Sequence, residues 1–129
     1  MEKKTIKQLK AKLDKLFSLW IRQKDAIGGY TKCITCSKIQ RWQDQDCGHF
    51  QSRRYLATRW EEMNCAPQCK DCNLFNQGKQ DEFGRKIAEK YGQSMLEILR
   101  IKKNNTMKLG TFEYEILIEM YEQKLKELK

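Results

Sequence analysis

The sequence is poor in several features whose absence limits what the protein can be. Its 129 residues include one proline and seven glycines, too few for a collagen-like chain or a low-complexity disordered one. It has no apolar run of about 18 residues, so no transmembrane helix is expected. The basic N-terminus is not followed by an apolar signal core, and we do not expect secretion. The length suits one domain and excludes a large barrel enzyme.

Acidic residues are fewer than basic ones, and this imbalance is the first positive indication of function. The chain has 26 lysines and arginines against 17 aspartates and glutamates, a net charge of +9. Residues 1–24 hold eight of the basic and two of the acidic side chains, and so contribute +6. A polyanion, nucleic acid before membrane, is the natural partner of such a chain. The alternative is a solvated lysine-rich face that serves solubility alone.

Six cysteines form two closely spaced pairs and two single positions. Cys33 and Cys36 are separated by two residues, and so are Cys69 and Cys72. Two such turns can close a tetrahedron of four thiolates around a structural zinc ion, which leaves no open position for catalysis. Redox motifs or free thiols are the alternative. The remaining Cys47 and Cys65 are interpreted as small buried hydrophobic residues, with Cys65 a weaker alternative zinc ligand.

Apolar periodicity predicts helices at both ends of the chain. From Ile6 to Trp20, apolar side chains recur every three or four positions, which predicts an amphipathic helix over about residues 4–25. Its apolar face either packs on the chain's own core or forms a dimer interface. The stretch 44–60 is predicted to be irregular. Further helices are predicted from Asn73, from Phe83 to Gly92, from a capping box at Ser94, and after Thr111.

Together these patterns predict an α+β protein, mainly helical, with long helices at both ends of a zinc-stabilised centre. We expect a single domain that comprises a basic N-terminal helix (1–27), a zinc-bearing core (28–80) and C-terminal helices (81–129). The core has the two cysteine pairs at its ends, with 32 residues between them. An insert of that length is longer than a simple zinc ribbon needs.

The insert carries the single histidine of the chain, His49. A lone histidine is commonly structural, but acids precede this one and arginines follow it. An imidazole can activate water, and carboxylate and amide oxygens suit Mg²⁺ or Mn²⁺. This arrangement can carry out phosphodiester hydrolysis, with Asp46 and Asn73 as cation ligands and Asn64 holding the hairpin of His49. The candidate DNA contacts are Arg53, Arg54, Arg59, Lys79, Lys10 and Lys15.

These residues resemble a known family. The pattern Cys-x-x-Cys, Asp-x-Gly-His-Phe-x-Ser-Arg, Asn and Cys-x-x-Cys-Asn resembles that of the phage recombination protein NinG, also called Rap. It is also similar to the ββα-metal (HNH, treble-clef) nucleases, particularly the endonuclease VII type of Holliday junction resolvase. The resemblance covers about residues 20–80. It implies a β-hairpin and a helix around one catalytic metal, supported by the structural zinc.

The resemblance also implies roles for single residues. His49 matches the general base, Asn64 the middle asparagine of the HNH motif, and Asn73 a metal ligand. In the wider family the acidic ligand often directly precedes the base, whereas here Gly48 takes that place. The alternatives for the acidic ligand are therefore Asp46, Asp44 and a rearranged hairpin.

The resemblance further implies branched DNA substrates, such as four-way junctions and D-loops, and a homodimer of a phage or prophage protein in the bacterial cytoplasm. An HNH nickase or general duplex nuclease is one alternative. A treble-clef DNA-binding protein without catalysis is another, and a protein-binding zinc module is a third. Trp42 and Trp60 either stack on unpaired bases or pack in the core.

Overall fold

The computed structural model describes residues 3–128, so the outermost residues of the predicted segments 1–27 and 81–129 lie outside the described part. Counting short 3₁₀ and π segments, the protein is about 58% helical, which confirms the mainly helical α+β prediction. The elements follow in the order α1 (Ile6–Gln23), β1 (Tyr30–Lys32), β2 (Ile39–Arg41), β3 (Gln45–His49), α2 (Leu56–Arg59), β4 (Cys65–Cys69), α3 (Gln80–Tyr91), α4 (Ser94–Lys103) and α5 (Thr111–Glu127).

Helix α1 has both a capped start and a continuous buried face. The Thr5 hydroxyl accepts a hydrogen bond from the Gln8 amide at 3.1 Å, and the Gln8 side chain accepts one from the Thr5 amide at 2.9 Å. The apolar face packs against α5, so of its two alternatives the structure shows core packing. This core contains Leu9, Leu13, Phe17, Ile21, Cys65, Tyr114, Ile118 and Tyr121.

A second core forms where α3 and α4 cover strand β4. It contains Ala66, Phe83, Ile87 and Leu99. Helix α3 ends at Gly92, whose φ of +98° suits glycine, and this agrees with the predicted break. The predicted capping box at Ser94 is wrong, because Ser94 is already helical and its predecessor makes no side-chain cap. Likewise Thr111 is the first helical residue of α5 rather than its cap.

Two antiparallel strand pairs carry the central part of the chain. Strand β1 pairs with β2, and β3 pairs with β4 so that His49 lies opposite Cys65. The prediction of an irregular stretch 44–60 is wrong over β3, since the partner strand is remote in sequence and no adjacent turn marks the pairing. The helix predicted from Asn73 is only a π turn, Asp71–Phe75, followed by positive φ values at Gln77, Gly78 and Lys79.

Candidate zinc site and active-site cleft

Four cysteines meet where the two strand pairs come together. Cys33 and Cys36 lie on the connection between β1 and β2, Cys69 ends β4, and Cys72 lies in the π turn. All four sulfur atoms lie within 4.8 Å of one another, and the Sγ atoms of Cys36 and Cys69 are 3.7 Å apart. Sulfurs about 2.3 Å from a tetrahedral zinc ion are separated by about 3.8 Å. The cluster can therefore hold a structural zinc ion.

The environment of these thiols also suits a metal. Burial alone would raise the pKa of Cys33, but hydrogen bonds from the Thr35 hydroxyl and from nearby backbone groups lower it to about 6. Burial is the main cause that raises the pKa of Cys72 to about 12. One thiol thus ionises readily at neutral pH, which gives a divalent cation a first thiolate ligand.

The two remaining cysteines form a separate group with the histidine. Cys47, His49 and Cys65 place two sulfurs and an imidazole nitrogen within 4.8 Å of one another. Cys65 belongs to the core between α1 and α5, and Cys47 packs against it. Burial raises the pKa of Cys65 well above its ordinary value, so it stays a thiol. Cys65 is thus the buried residue predicted and is not part of the four-cysteine cluster, whereas Cys47 is only partly buried.

A cleft of about 570 Å³ runs along strand β3. In the described part of the chain β3 pairs only with β4, so its other edge is free. Side chains from both faces of β3 reach the cleft along this free edge. Helix α1 forms one wall, and the segment 70–80 forms another. The predicted residues Asp46, His49, Arg53 and Asn73 all line this cleft.

One nitrogen of the His49 ring has a hydrogen-bond partner on the neighbouring backbone. Nε2 lies 2.9 Å from the carbonyl oxygen of Arg59, which can only accept, so Nε2 carries the proton and Nδ1 is the basic nitrogen. Burial is the main cause that lowers the pKa of His49 below its ordinary 6.5, and the charge of Arg53 acts in the same direction. The imidazole is therefore neutral at pH 7 and can accept a proton from water.

Asn64 is fully buried and joins two segments that follow His49 in the chain. Its side-chain oxygen accepts a hydrogen bond from the Gln51 amide at 2.7 Å. Its side-chain nitrogen donates to the carbonyl groups of Gln51 at 3.0 Å and Thr58 at 3.1 Å. These bonds hold the chain just after His49 and just before Arg59, whose carbonyl group binds the imidazole. Asn64 thus lies where a residue that orients His49 has to lie.

The side chains of Asp46 and Asn73 are in direct contact in the cleft. The Asn73 side-chain nitrogen donates to Oδ2 of Asp46 at 3.0 Å, and the Lys70 ammonium lies 2.6 Å from Oδ1. A rotation of the Asn73 amide would present its oxygen beside the carboxylate, and such oxygen pairs suit Mg²⁺ or Mn²⁺. Asp44 lies exposed on the 3₁₀ segment Trp42–Asp44, so of the two candidate acids Asp46 is the one in the cleft.

The tight packing at position 48 explains why a glycine, and no acid, directly precedes His49. A Cβ atom at position 48 would lie 2.9 Å from the Cβ atom of Gln68, closer than real side chains approach. Gln68 is fully buried and fixed, since its amide donates to the Gly78 carbonyl at 2.7 Å and to the Thr35 hydroxyl at 3.1 Å. An aspartate would not fit at position 48 without displacing this side chain.

Sequence reasoning missed Asp14, which organises the arginines around the cleft. Its carboxylate accepts hydrogen bonds from Arg59 at 3.0 Å, Arg53 at 2.9 Å and the Trp60 indole at 2.9 Å. Burial alone would raise its pKa, but the hydrogen bond and charge of Arg59 lower it. The Arg59 side chain is only 17% exposed. The structure thus places Arg59 as a partner of Asp14 with little exposed surface, and its role as a DNA contact stays a prediction. The signal in the sequence that could have identified this residue is an aspartate among the lysines of α1.

Of the other predicted DNA contacts, one lines the cleft and the rest lie outside it. Arg53 is exposed on the rim, Arg54 is exposed beside the Tyr55 ring, and Lys79 is half-buried before α3. Lys10 and Lys15 lie on α1, with Lys10 one helical turn before Asp14.

Arg22 is a cleft residue that the sequence analysis did not single out. It donates from Nε to Ser18, and its guanidinium lies over the Trp42 ring at 5.2 Å from the centroid. Trp60 packs edge-on against Tyr114, with ring centroids 5.6 Å apart, which agrees with the core alternative for this tryptophan.

The fold and the cleft define a class: an α+β protein in which a four-cysteine cluster, suited to a structural metal such as zinc, lies beside a β-hairpin that presents a histidine, an acid and an amide. Comparison with protein families identifies the particular family. The family model described as Bacteriophage Lambda NinG protein matches residues 1–129. The chain belongs to the NinG family, which confirms that part of the predicted resemblance.

No curated protein and no solved structure matches the chain. Within residues 3–128, no helix combines the length and the apolar character that crossing a membrane requires.

Proposed function

We propose that this protein acts in phage DNA recombination as a metal-dependent endonuclease that hydrolyses phosphodiesters in branched intermediates, such as Holliday junctions and D-loops. Membership of the NinG family supports the role in recombination. One observation carries the chemistry: a single cleft contains a neutral His49 and the contacting pair Asp46 and Asn73.

His49 is the general base in this proposal. Nδ1 takes a proton from the attacking water, while Nε2 keeps its proton on the Arg59 carbonyl oxygen. The resulting imidazolium is stabilised by that same carbonyl group. Because the ring is anchored through Nε2, its basic nitrogen needs no rotation before each turnover, and Asn64 maintains the two segments that set this geometry.

Asp46 and Asn73 are the proposed ligands of the catalytic cation, Mg²⁺ or Mn²⁺. When bound, that cation would supply neutralisation of the scissile phosphate and of the leaving oxygen. The carboxylate already attracts a cationic group, since the Lys70 ammonium lies 2.6 Å away. The four-cysteine cluster beside the β3–β4 hairpin supports a treble-clef, ββα-metal arrangement, in which the π turn takes the place of a regular helix start.

The charges around the cleft fit the backbone of DNA. Arg53 lies on the rim and Arg22 lies within the cleft. Lys10 and Lys7 lie four and seven residues before Asp14, so they extend the same face of α1 beyond the cleft. Such contacts bind phosphates without reading the base sequence. Cutting both strands of a junction requires two active sites, and a homodimer is part of the proposal.

The test is cleavage of a synthetic four-way junction, compared with a linear duplex and a single strand of matched sequence. Each substrate is incubated with Mg²⁺, Mn²⁺ or a chelator. We expect metal-dependent cutting of the junction that His49→Ala and Asp46→Asn abolish, while Asp44→Asn, an exposed acid two residues away, keeps it. Equal cutting of the linear duplex would leave a general nuclease and remove the proposed structure specificity.

A non-catalytic DNA-binding protein is the second candidate, and the Lys70–Asp46 ion pair favours it because it neutralises the carboxylate without a metal. The two proposals differ in cation binding. Electron paramagnetic resonance of Mn²⁺ should show a site that Asp46→Asn removes if the cleft is catalytic. Tight junction binding with no cutting and no such Mn²⁺ site would support the second candidate.

A further inference from the structure

Two large apolar side chains are left exposed beside the cleft. Leu74 is 61% exposed and Phe75 is 77% exposed. They directly follow Asn73, whose amide contacts Asp46 inside the cleft. The chain therefore passes from the proposed metal site to an exposed apolar pair within two residues.

The turn that presents this pair is held in place from both sides. Cys72, just before it, belongs to the four-cysteine cluster. Just after it, the backbone and side-chain amides of Asn76 donate to the Asp71 carbonyl at 3.0 and 2.8 Å. The Gly78 amide donates to the Cys72 carbonyl at 2.8 Å. Leu74 and Phe75 are thus presented by a tethered turn, not by a loose loop.

Exposed basic side chains flank the pair. Lys70 and Arg53 are ion-paired with Asp46 and Asp14 but stay more than half exposed, and the exposed acid Asp71 lies in the same turn. Lys70 lies four residues before Leu74 and is exposed, Lys79 lies four residues after Phe75, and Arg53 is exposed on the rim of the same cleft. An exposed aromatic ring beside positive charges is the combination that binds unstacked nucleotides, because the cations contact phosphates and the ring stacks on a base.

We infer that Leu74 and Phe75 form a binding site for an unstacked base at the branch point of the DNA, with Phe75 stacking on that base and Leu74 wedged beside it. The inference rests on the proposed function and adds a source of structure specificity. In a continuous duplex every base already has two stacking neighbours, so Phe75 gains little. At a branch point a base has lost a neighbour, and the phenyl ring replaces it.

Binding measurements on the zinc-loaded protein without added Mg²⁺ or Mn²⁺ test this site without cleavage. Fluorescence anisotropy compares a four-way junction with a linear duplex for Phe75→Ala and Leu74→Ala. The control is Ile98→Ala, because Ile98 is 52% exposed on α4 and does not line the cleft. We expect Phe75→Ala to weaken junction binding about fivefold or more and to leave duplex binding within about twofold. Phe75→Trp should retain junction binding.

A second readout detects stacking directly. With 2-aminopurine at the branch point, the wild type should quench its fluorescence, and Phe75→Ala should lose the quenching at saturating protein. Zinc content measured on each variant reports that the fold is kept. Wild-type preference for the junction that persists in Phe75→Ala would overturn the inference and leave the proposed function standing.

Two other outcomes are also decisive. A wild-type protein that binds neither DNA would remove the proposed function itself, and this inference with it. A change of molar mass in solution on Phe75→Ala, with quenching unchanged, would assign the apolar pair to a protein contact and overturn the base site.

Discussion

Substitution of Asn64 by alanine should destabilise the protein far more than its small change in volume implies. The side chain makes three hydrogen bonds to backbone groups, one from the Gln51 amide and two to the carbonyl groups of Gln51 and Thr58. Each buried backbone group left without a partner costs about 1–3 kcal/mol. Because Gln51 is partly exposed and water can replace some of its bonds, we expect a loss of about 3 kcal/mol in the free energy of unfolding.

Urea unfolding of the zinc-loaded protein, followed by circular dichroism, measures this loss. Asn76→Ala is the matched control, because the exposed Asn76 side-chain amide donates only to the Asp71 carbonyl, at 2.8 Å. We expect this substitution to lower the free energy of unfolding by less than about 1 kcal/mol. A nuclear magnetic resonance titration adds a second readout. Without Asn64 the His49 ring should gain solvent, and its lowered pKa should rise towards 6.5. Equal, small losses for both variants and an unchanged His49 pKa would refute the reasoning.

The remaining predictions concern the zinc site, the base and the buried ion pair. Elemental analysis should find zinc bound to the wild type and to Cys47→Ser but lost from Cys69→Ser, and zinc retained in all three proteins would contradict the four-cysteine site. The pKa of His49 lies below 6.5, so cleavage should rise with pH and level off by pH 7. The contribution of His49 to the free energy of unfolding should change in the same direction. It is complete above pH 6.5 and is lost as the pH falls through the lowered pKa, because the unfolded state binds the proton more readily. A rate that still climbs steeply above pH 8 would contradict His49 as the base. Asp14→Asn leaves the largely buried Arg59 guanidinium without its carboxylate, so urea unfolding should show a loss of about 2–3 kcal/mol, and a loss below 0.5 kcal/mol would contradict the ion pair.

Much of the fold was predictable because its signals are local. The apolar period of α1 defines a buried face wherever the helix packs, and Gly92 ends α3 through its own backbone preference. Strand β3 was missed because its partner lies well downstream, and strand pairing between remote segments leaves no local mark. The start of α4 was placed correctly, but its predicted cap was wrong, since side-chain capping depends on rotamers that the residue pattern does not specify.

For the candidate site, the sequence by itself determined the ligand types and their short spacings. Two residues between the cysteines of a pair bring both sulfurs to one side of a turn, whatever surrounds it. The run from Asp46 to His49 likewise keeps an acid and an imidazole within three residues of each other. These relations depend only on bond lengths and backbone geometry within a few residues.

Tertiary structure alone decided which of these groups meet and which are free to act. Only the packing of α1 brings Asp14 to Arg59, 45 residues away, and so gives that arginine a carboxylate partner within the protein. Only the fold brings the Arg59 carbonyl to Nε2 of His49 and leaves Nδ1 as the basic nitrogen. The physical reason is that a hydrogen bond between remote residues forms only where packing has already brought them together, and no local spacing encodes that arrangement.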